Sequence, residues 1–268
     1  MPQKLGQNFL KSGKVASRIA DSADITKKDV VLEIGPGKGI LTEKLLEQAG
    51  KVIAVEKDME LAEFLQVKFS EQIKRTGPKL EIVRDDILKF NPKNHKLKPK
   101  NYKIVANIPY YITSRIIRVF LESDIQPSSI TIMLQKEVAE RIVAKPPRMS
   151  LLAISVQAFG DPRLLFYVSK NKFIPEPKVD SAVIQIANIS RDFFTKNKIT
   201  EKKFFHLIKT GFAQKRKMLI NNLKKVAKEQ KLHEELAEIF QQCQIPPKSR
   251  AENLTLNDWA RLYKKLYN

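Results

Sequence analysis

Residues 30–48, VVLEIGPGKGILTEKLLEQ, contain a strand pattern, a glycine-rich turn and a helix pattern in direct succession. The opening residues form a short and nearly continuous apolar run, as a buried strand requires. Gly35, Gly37 and Gly39 then allow the backbone to turn tightly and to approach a bound nucleotide. From Ile40 onward, apolar residues recur at three- and four-residue spacing, which predicts an amphipathic helix. The stretch therefore predicts the first unit of a nucleotide-binding α/β fold.

The same alternation of strands and helices continues along the first part of the chain. Further strands are predicted from apolar, β-branched runs at 51–56, 80–86, 103–108, 129–135, 163–169 and 181–188. Helices are predicted at 59–69 and 114–122, whereas 150–159 fits either a helix or a strand. Strands that alternate with helices form βαβ units around a parallel sheet. We therefore predict an α/β fold with a Rossmann-like, doubly wound, mostly parallel sheet.

Strand patterns end near residue 190, and helical patterns at 201–229 and 255–267 replace them. We therefore expect a first domain at 1–190, which holds the ligand site, and a small all-helical domain at 191–268. The single tryptophan, Trp259, lies at the spacing of the buried face of the last helix. Packing in the core explains it better than contact with a ligand.

The chain is strongly basic. It has 49 Lys and Arg residues against 29 Asp and Glu residues, a net charge of +20. Residues 191–268 contain 18 basic and 8 acidic residues, so a net +10, half of the excess, lies in the helical domain. Such a balance predicts a polyanionic partner, above all a nucleic acid. An anionic membrane surface and a simple role in solubility are the weaker alternatives.

Several other classes of protein are disfavoured by composition. The only cysteine is Cys243, and the three histidines are far apart in the sequence, so we expect neither a disulfide framework nor a metal site. No apolar run approaches the roughly 18–20 residues that cross a bilayer, and the first residues lack the apolar segment of a signal peptide. We therefore expect a cytoplasmic protein that acts as a monomer, away from membranes and without a metal.

Two acidic residues at strand ends fit a nucleoside ligand. Glu56 lies 21 residues after Gly35, where an acid accepts hydrogen bonds from both ribose hydroxyls. The G-x-G-x-G spacing differs from the dinucleotide pattern. With the acid before it, the E-x-G-x-G-x-G turn at 33–39 resembles the first motif of S-adenosylmethionine-dependent methyltransferases. Asp86 is then placed to accept from the adenine amino group, with Ile87 against the ring, although a solvated turn is the alternative. We predict S-adenosyl-L-methionine as the cofactor, bound by these residues and Gly37.

The stretch NIPYY at 107–111 indicates methyl transfer to a base amine. An exocyclic amine is a poor nucleophile because its lone pair is delocalised into the ring, and acceptors placed against its hydrogens favour a pyramidal nitrogen. The Asn107 side-chain oxygen and the Ile108 carbonyl are two such acceptors, in a turn fixed by Pro109. Tyr110 offers a flat face on which an extruded base stacks. An ordinary strand end with a surface tyrosine is the alternative.

The chain resembles the ribosomal small-subunit RNA adenine N6,N6-dimethyltransferase family over nearly its whole length. The matching strings are GQNFL (6–10), EIGPGKGILT (33–42), NIPYYITS (107–114), MLQKEVAERIVA (133–144), FIPEPKVDSAV (173–183) and IPPKSRAENLTL (245–256). The resemblance implies an enzyme that dimethylates each of two adjacent adenines in a hairpin loop of small-subunit rRNA. It also implies that the partner is an immature small ribosomal subunit and that the methylation takes place during ribosome biogenesis.

The resemblance further implies site residues that no local pattern indicates. The residues that would close over the cofactor are Gln7, Asn8 and Leu10. The resemblance also implies that Asn107 contacts the cofactor, together with Gly35, Glu56 and Asp86. Phe173 would place a second aromatic ring against the target adenine, opposite Tyr110; its alternative role is a hydrophobic plug beneath a proline-rich loop. The residues expected to contact the RNA backbone, from a basic helix segment, are Lys215, Arg216 and Lys217.

Two other functions fit parts of the same pattern. The large-subunit rRNA adenine methyltransferases of the macrolide-resistance type share the glycine turn and the N-x-P-Y motif, but MLQKEVAERIVA and RAENLTL favour the small-subunit family. A ribosome-assembly or transcription factor that keeps the fold without catalysis is the second alternative. Degraded cofactor or acceptor residues would favour such a factor, and here all of them are intact.

Overall fold

The computed structural model describes residues 8–74, 79–108 and 110–267. Two residues predicted to lie in the site, Gln7 and Pro109, fall outside these ranges. The strands are β1 Phe9–Leu10, β2 Val30–Ile34, β3 Lys51–Glu56, β4 Leu80–Arg84, β5 Tyr102–Asn107, β6 Ser129–Gln135, β7 Asp161–Val168, β8 Phe173–Ile174 and β9 Ser181–Ala187. The α-helices are α1 Gly13–Asp21, α2 Ile40–Gln48, α3 Met59–Lys68, α4 Ser70–Lys74, α5 Thr113–Glu122, α6 Lys136–Ile142, α7 Leu151–Gln157, α8 Asp192–Asn197, α9 Glu201–Gly211, α10 Leu219–Glu229, α11 Leu236–Gln242 and α12 Leu256–Tyr267. Short 3-10 turns lie at Pro92–His95, Tyr110–Ile112, Lys170–Lys172 and Ala251–Asn253.

Seven of the strands form one sheet in the order β4-β3-β2-β5-β6-β9-β7. The first five are parallel, and β9 is antiparallel to both of its neighbours. The chain order reverses at β2, which lies between β3 and β5. Open α/β sheets bind ligands at the carboxyl ends of the strands beside such a switch point. The predicted doubly wound, mostly parallel fold is confirmed, and its topology places a ligand site where β2, β3 and β5 end.

The strand and helix bounds follow the apolar patterns closely, with two informative exceptions. Strand β4 ends at Arg84, earlier than predicted, because the next residues form a hydrogen-bonded turn. In that turn the Asp85 carboxylate accepts from Asp86 N at 2.7 Å, and the Asp86 carboxylate accepts from Leu88 N at 3.1 Å. The ambiguous segment 150–159 forms α7, whose first turn is capped by the Ser150 hydroxyl.

Contacts divide the chain into two compact units. The first comprises the described residues up to Ala139 together with Asp161–Ile189, and the second comprises Glu140–Gly160 and Ser190–Asn268, described here as far as residue 267. The sequence pattern had placed 140–160 in the first domain. These residues belong to the second unit because their apolar side chains pack there: the Phe159 ring lies 5.1 Å from that of Phe194, between centroids.

The second unit is built around aromatic side chains on its helices. Trp259 is fully buried, as predicted, together with Phe204 and Tyr263. Helix α12 begins with reciprocal bonds: Thr255 N donates to the Asp258 carboxylate at 2.8 Å, and Asp258 N donates to the Thr255 hydroxyl at 3.2 Å. Such a capping box satisfies amide groups that have no partner within the helix.

The predicted helix at 201–229 is wrong in its middle, where residues 212–218 separate α9 from α10. The cause is tertiary packing. Gly211 ends α9 against the Trp259 indole, so closely that a Cβ at Gly211 would lie 2.3 Å from a ring carbon. The Asn222 side chain then holds the turn by donating to the carbonyls of Gly211 and Gln214, at 2.6 and 3.2 Å. The predicted RNA contacts are exposed and lie in this turn, not in a basic helix: Lys215, Arg216 and Lys217.

None of the helices in the described ranges is long and apolar enough to cross a membrane. In the same ranges, no cluster of three or more His, Cys, Asp or Glu side chains is arranged to hold a metal ion.

Candidate active site

A cleft lies at the carboxyl edge of the sheet in the first unit. Its lining consists of Asn8, Phe9, Leu10, Glu33, Gly35, Pro36, Gly37, Lys38, Ile40, Leu41, Glu56, Leu61, Asn107, Ile108 and Tyr110. These residues come from four stretches that are far apart in the sequence. The cleft therefore brings together most of the residues predicted to bind a cofactor and most of those predicted to face a base amine.

The glycine turn that follows β2 forms one wall of the cleft. Gly35, Gly37 and Gly39 all have positive φ, at 65°, 58° and 78°, a conformation that other residues adopt only with strain. Space is restricted as well, because a Cβ at Gly37 would lie 3.1 Å from the Phe9 ring. The turn therefore exposes backbone to the cleft and lets the N-terminal strand lie against it.

Glu56 ends β3 and holds the glycine turn in place. One of its carboxylate oxygens accepts from Gly37 N at 3.2 Å, and the other accepts from Asp58 N at 2.9 Å. Burial raises the pKa of this carboxyl, while the backbone N–H groups act in the opposite direction. The Lys57 N–H also acts on this carboxyl. A carboxylate has about four lone-pair sites, so it can still accept from a ligand hydroxyl. The position fits the predicted contact with a ribose.

Glu33 is a site residue that the sequence analysis did not single out. It is 1% exposed, lines the cleft, and its Oε2 has no hydrogen-bond partner among the residues that the structure describes. Burial raises the pKa of Glu33 to about 8; the Thr42 hydroxyl lowers it, and the charge of Glu56 raises it further. A buried polar atom without a protein partner is rare and calls for an explanation. Glu33 is therefore a candidate for contact with a ligand in the cleft.

The Asp86 turn lies beside this region without lining the cleft. Asp85 N donates to the Glu56 carbonyl at 3.1 Å, which attaches the turn to the end of β3. The ion pair with Lys57, at 2.9 Å, lowers the pKa of Asp86, and Ile87 is buried. A contact of Asp86 and Ile87 with adenine stays a prediction.

The stretch after β5 supplies the opposite wall of the cleft. Asn107 ends the strand, Ile108 is buried, and Tyr110 follows in a 3-10 turn. The Tyr110 hydroxyl lies 2.6 Å from the hydroxyl of Ser181, which is fully buried at the start of β9. Asn107, Ile108 and Tyr110 thus line the same cleft as the glycine turn. Their contacts with a base amine stay a prediction.

Strands β1 and β8 form a separate two-stranded antiparallel sheet beside the cleft. Phe9 pairs with Ile174 and Leu10 pairs with Phe173, and Lys11 N donates to the Lys172 carbonyl at 2.9 Å. The Phe173 ring is 1% exposed, belongs to the hydrophobic core with Leu10, and does not line the cleft. The structure therefore places Phe173 in the position expected of a hydrophobic plug, and its contact with an adenine stays a prediction.

The chain is similar in sequence to rRNA methyltransferases from several bacteria. The chain is 40% identical over 258 residues to the ribosomal RNA small subunit methyltransferase A of Dehalococcoides mccartyi, covering 96% of this chain and 86% of the relative. It is 37% identical over 268 residues to the protein of the same name from Clostridium botulinum, with 99% and 94% covered.

Two crystal structures share the fold over nearly the whole chain. A dimethyladenosine transferase from Plasmodium falciparum superposes with a TM-score of 0.79 at 26% identity, covering 96% of both chains. The 23S rRNA methyltransferase ErmE superposes with a TM-score of 0.73, also at 26% identity, covering 97% of this chain and 100% of the other. The sequence profile described as "Ribosomal RNA adenine dimethylase" matches residues 2–268. The chain belongs to the ribosomal RNA adenine dimethylase family.

Proposed function

We propose that this protein dimethylates N6 of each of two adjacent adenines in a hairpin loop of small-subunit rRNA during ribosome biogenesis. The observation that carries the proposal is that Asn107, Ile108 and Tyr110 share one cleft with the glycine turn and Glu56. Amine acceptors and a base platform thus lie beside a cofactor site. The small-subunit substrate is inferred from relatives of 37–41% identity, which carry that name.

The residues of the cleft fit the cofactor of the family, S-adenosyl-L-methionine. When bound, this cofactor supplies an electrophilic methyl group on a sulfonium. Glu56 would hold the ribose hydroxyls, and Gly35 and Gly37 let the backbone come close. Glu33 offers a buried carboxyl oxygen without a protein partner to the cationic part of the ligand. A charged ligand group there would give the Glu33 oxygen a hydrogen-bond partner and so offset the free-energy cost of burying it unpaired.

The chain's own part in the chemistry is to orient the amine. The Asn107 amide oxygen and the Ile108 carbonyl accept hydrogen bonds from the two amine hydrogens, which localises the nitrogen lone pair and directs it into the cleft. Tyr110 presents a ring face to a base that has left its stack. A strong general base is not needed, because the amine proton becomes acidic once the nitrogen is alkylated.

RNA is held chiefly through its phosphates in this proposal. The C-terminal part of the chain carries half of the excess positive charge, and Lys215, Arg216 and Lys217 are exposed in the turn between α9 and α10. Backbone contacts of this kind supply affinity and position, and the pocket supplies the choice of base. We expect the protein to work as a cytoplasmic monomer on immature small subunits.

Two competing functions are less well supported. A large-subunit specificity would match ErmE, but that structure is 26% identical, whereas relatives named for the small subunit reach 41%. A non-catalytic assembly factor would not need Asn107 and Glu56 in one cleft.

Mass spectrometry of rRNA from cells lacking and regaining the gene distinguishes these functions. The proposal expects two adjacent dimethyladenosines to disappear from small-subunit rRNA and to return with the gene. Unchanged small-subunit rRNA, or loss of a mark from large-subunit rRNA, would refute it.

A further inference from the structure

We propose that Ser181 is a positioning residue that holds the tip of the Tyr110 ring and thereby sets the position of the stacked base. The inference rests on the proposed function and adds to it a residue outside the cleft. Ser181 does not line the cleft, and the residues that do line it include Tyr110 and Asn107. The two hydroxyl oxygens of Ser181 and Tyr110 are 2.6 Å apart, a short and strong hydrogen bond between neutral groups.

Ser181 is a rigid anchor. It begins β9 inside the sheet, where it pairs with Gln135 of β6 on one side and with Val168 of β7 on the other. The preceding residue is also fixed, since the Asp180 carbonyl accepts from Lys136 N at 3.0 Å. Ser181 has no measurable exposure. Its hydroxyl is therefore held by backbone that moves only with the sheet.

The backbone around Tyr110 is less constrained than that around Ser181. It lies in a short 3-10 turn after β5, outside the strand ladder, and its side chain is only half-buried. A tyrosine in such a turn is free to rotate about two side-chain bonds unless its tip is held. The bond from Ser181 reaches the phenolic oxygen at the tip of the ring, so it fixes where the tip lies and occupies neither ring face. The bond to Ser181 thus orients the platform without covering it.

The position of the Tyr110 ring affects the rate of methyl transfer in this proposal. A base stacked on Tyr110 offers its amine to Asn107 only if the ring is held in one position, and misplacement of reacting groups is costly in rate. A merely structural role for Ser181 is the alternative, in which the bond satisfies a buried hydroxyl and contributes about 1 kcal/mol to stability. The two roles differ in what happens to the rate of methyl transfer by the folded protein.

The test uses Ser181→Ala and Tyr110→Phe, which remove the same bond from its two ends, and the double variant. Tyr102→Phe is the matched control, because the Tyr102 hydroxyl is buried in the same unit and donates to the Ile125 carbonyl at 2.7 Å, away from the cleft. Single-turnover methyl transfer to immature small subunits is measured with cofactor and particles saturating. A 19F spectrum of 3-fluorotyrosine introduced at position 110 reports the environment of the ring tip independently of activity.

We expect each single variant to transfer about tenfold more slowly, the rate equivalent of one hydrogen bond, and the double variant to be no slower than either. The fluorine resonance should shift in Ser181→Ala, and Tyr102→Phe should transfer at the wild-type rate. An unshifted resonance, or single variants that match the control in rate, would overturn the inference. A wild-type protein that methylates no rRNA precursor is a different outcome. It would refute the proposed function, and the inference about Ser181 would fall with it.

Discussion

The Glu56 carboxylate accepts a hydrogen bond from the Gly37 backbone N–H at 3.2 Å, so the acid that ends β3 also holds the glycine turn after β2. One residue thus joins the end of β3 to the glycine turn. The same carboxylate accepts from Asp58 N at the start of α3. Replacing Glu56 should therefore loosen the turn and remove a ligand acceptor at once.

Glu56→Ala should weaken binding of S-adenosylmethionine by about 1–3 kcal/mol, roughly 5- to 150-fold, because the ribose hydroxyls lose a charged acceptor. Isothermal titration calorimetry of the purified protein measures this directly. The control is Glu63→Ala, an exposed acid on α3 outside the cleft. Equal affinities for wild type and Glu56→Ala would place the cofactor elsewhere.

Glu33→Gln should change how stability depends on pH. Burial raises the pKa of Glu33 in the folded protein to about 8, from an ordinary 4.5. As pH rises, the unfolded chain therefore releases this proton before the folded protein does. The folded state then loses stability progressively between about pH 4.5 and about pH 8, by at most about 1.4 kcal/mol per pH unit. Glutamine does not titrate, so its advantage in unfolding free energy should grow over that range.

Urea unfolding of the cofactor-free wild type and Glu33→Gln at several pH values between 5 and 8 tests this. Glu56, whose pKa is also raised by burial, is present in both proteins and largely cancels in the difference. The variant should bind the cofactor more weakly although it is more stable, because a neutral amide no longer meets a cation. A difference in stability that is constant with pH would contradict the account.

Replacing Lys215, Arg216 and Lys217 together by glutamine should reduce the salt dependence of RNA binding. Each phosphate contact that is lost lowers the slope of log affinity against log salt concentration by about 0.7–0.9. Filter binding of small-subunit precursors over a salt series gives the slope. A variant of Lys93, Lys96 and Lys98, exposed in the first unit, carries the same change in net charge. If both triple variants show the same slope, the turn between α9 and α10 is not an RNA contact.

Phe173→Ala should lower the free energy of unfolding by about 3–5 kcal/mol, the usual cost of deleting a buried aromatic ring. Its ring is packed in the core with Leu10, so the loss should also detach β1 from the cleft. Denaturant unfolding measures the first effect. Phe64→Ala, at a ring that is 48% exposed, should cost far less. A cost below about 1 kcal/mol at Phe173 would mean that the ring lies at the surface, as a base platform would.

Much of the fold was predictable because it depends on local patterns. The apolar run before Gly35 has the pattern of a buried strand, and the apolar residues from Ile40 onward have the spacing of a helix. The bounds of β3 and α2 agree with the sequence pattern. The break after Gly211 could not be predicted in this way. It depends on the Trp259 ring, which is distant in sequence and fills the space beside that glycine.

The same distinction holds within the site. Glu56 and Asn107 were predictable because they lie at the carboxyl ends of strand patterns, which meet at one edge of a parallel sheet. Glu33 was overlooked because it lies inside a strand, and only its burial beside the cleft reveals an acid without a partner. The pairing of Ser181 with Tyr110 joins two matched strings, but no spacing rule predicts contact between them.

The central claim is that Asn107 orients the target amine, and single-turnover methyl transfer by Asn107→Ala tests it most directly. Labelled methyl groups are followed onto immature small subunits, with S-adenosylmethionine saturating so that any cofactor contact of Asn107 is not limiting. Asn94→Ala, an exposed asparagine outside the cleft, is the control. The account predicts that Asn107→Ala folds, keeps most of its RNA affinity and transfers about 10²–10³-fold more slowly. Transfer by Asn107→Ala at the rate of the control would contradict it.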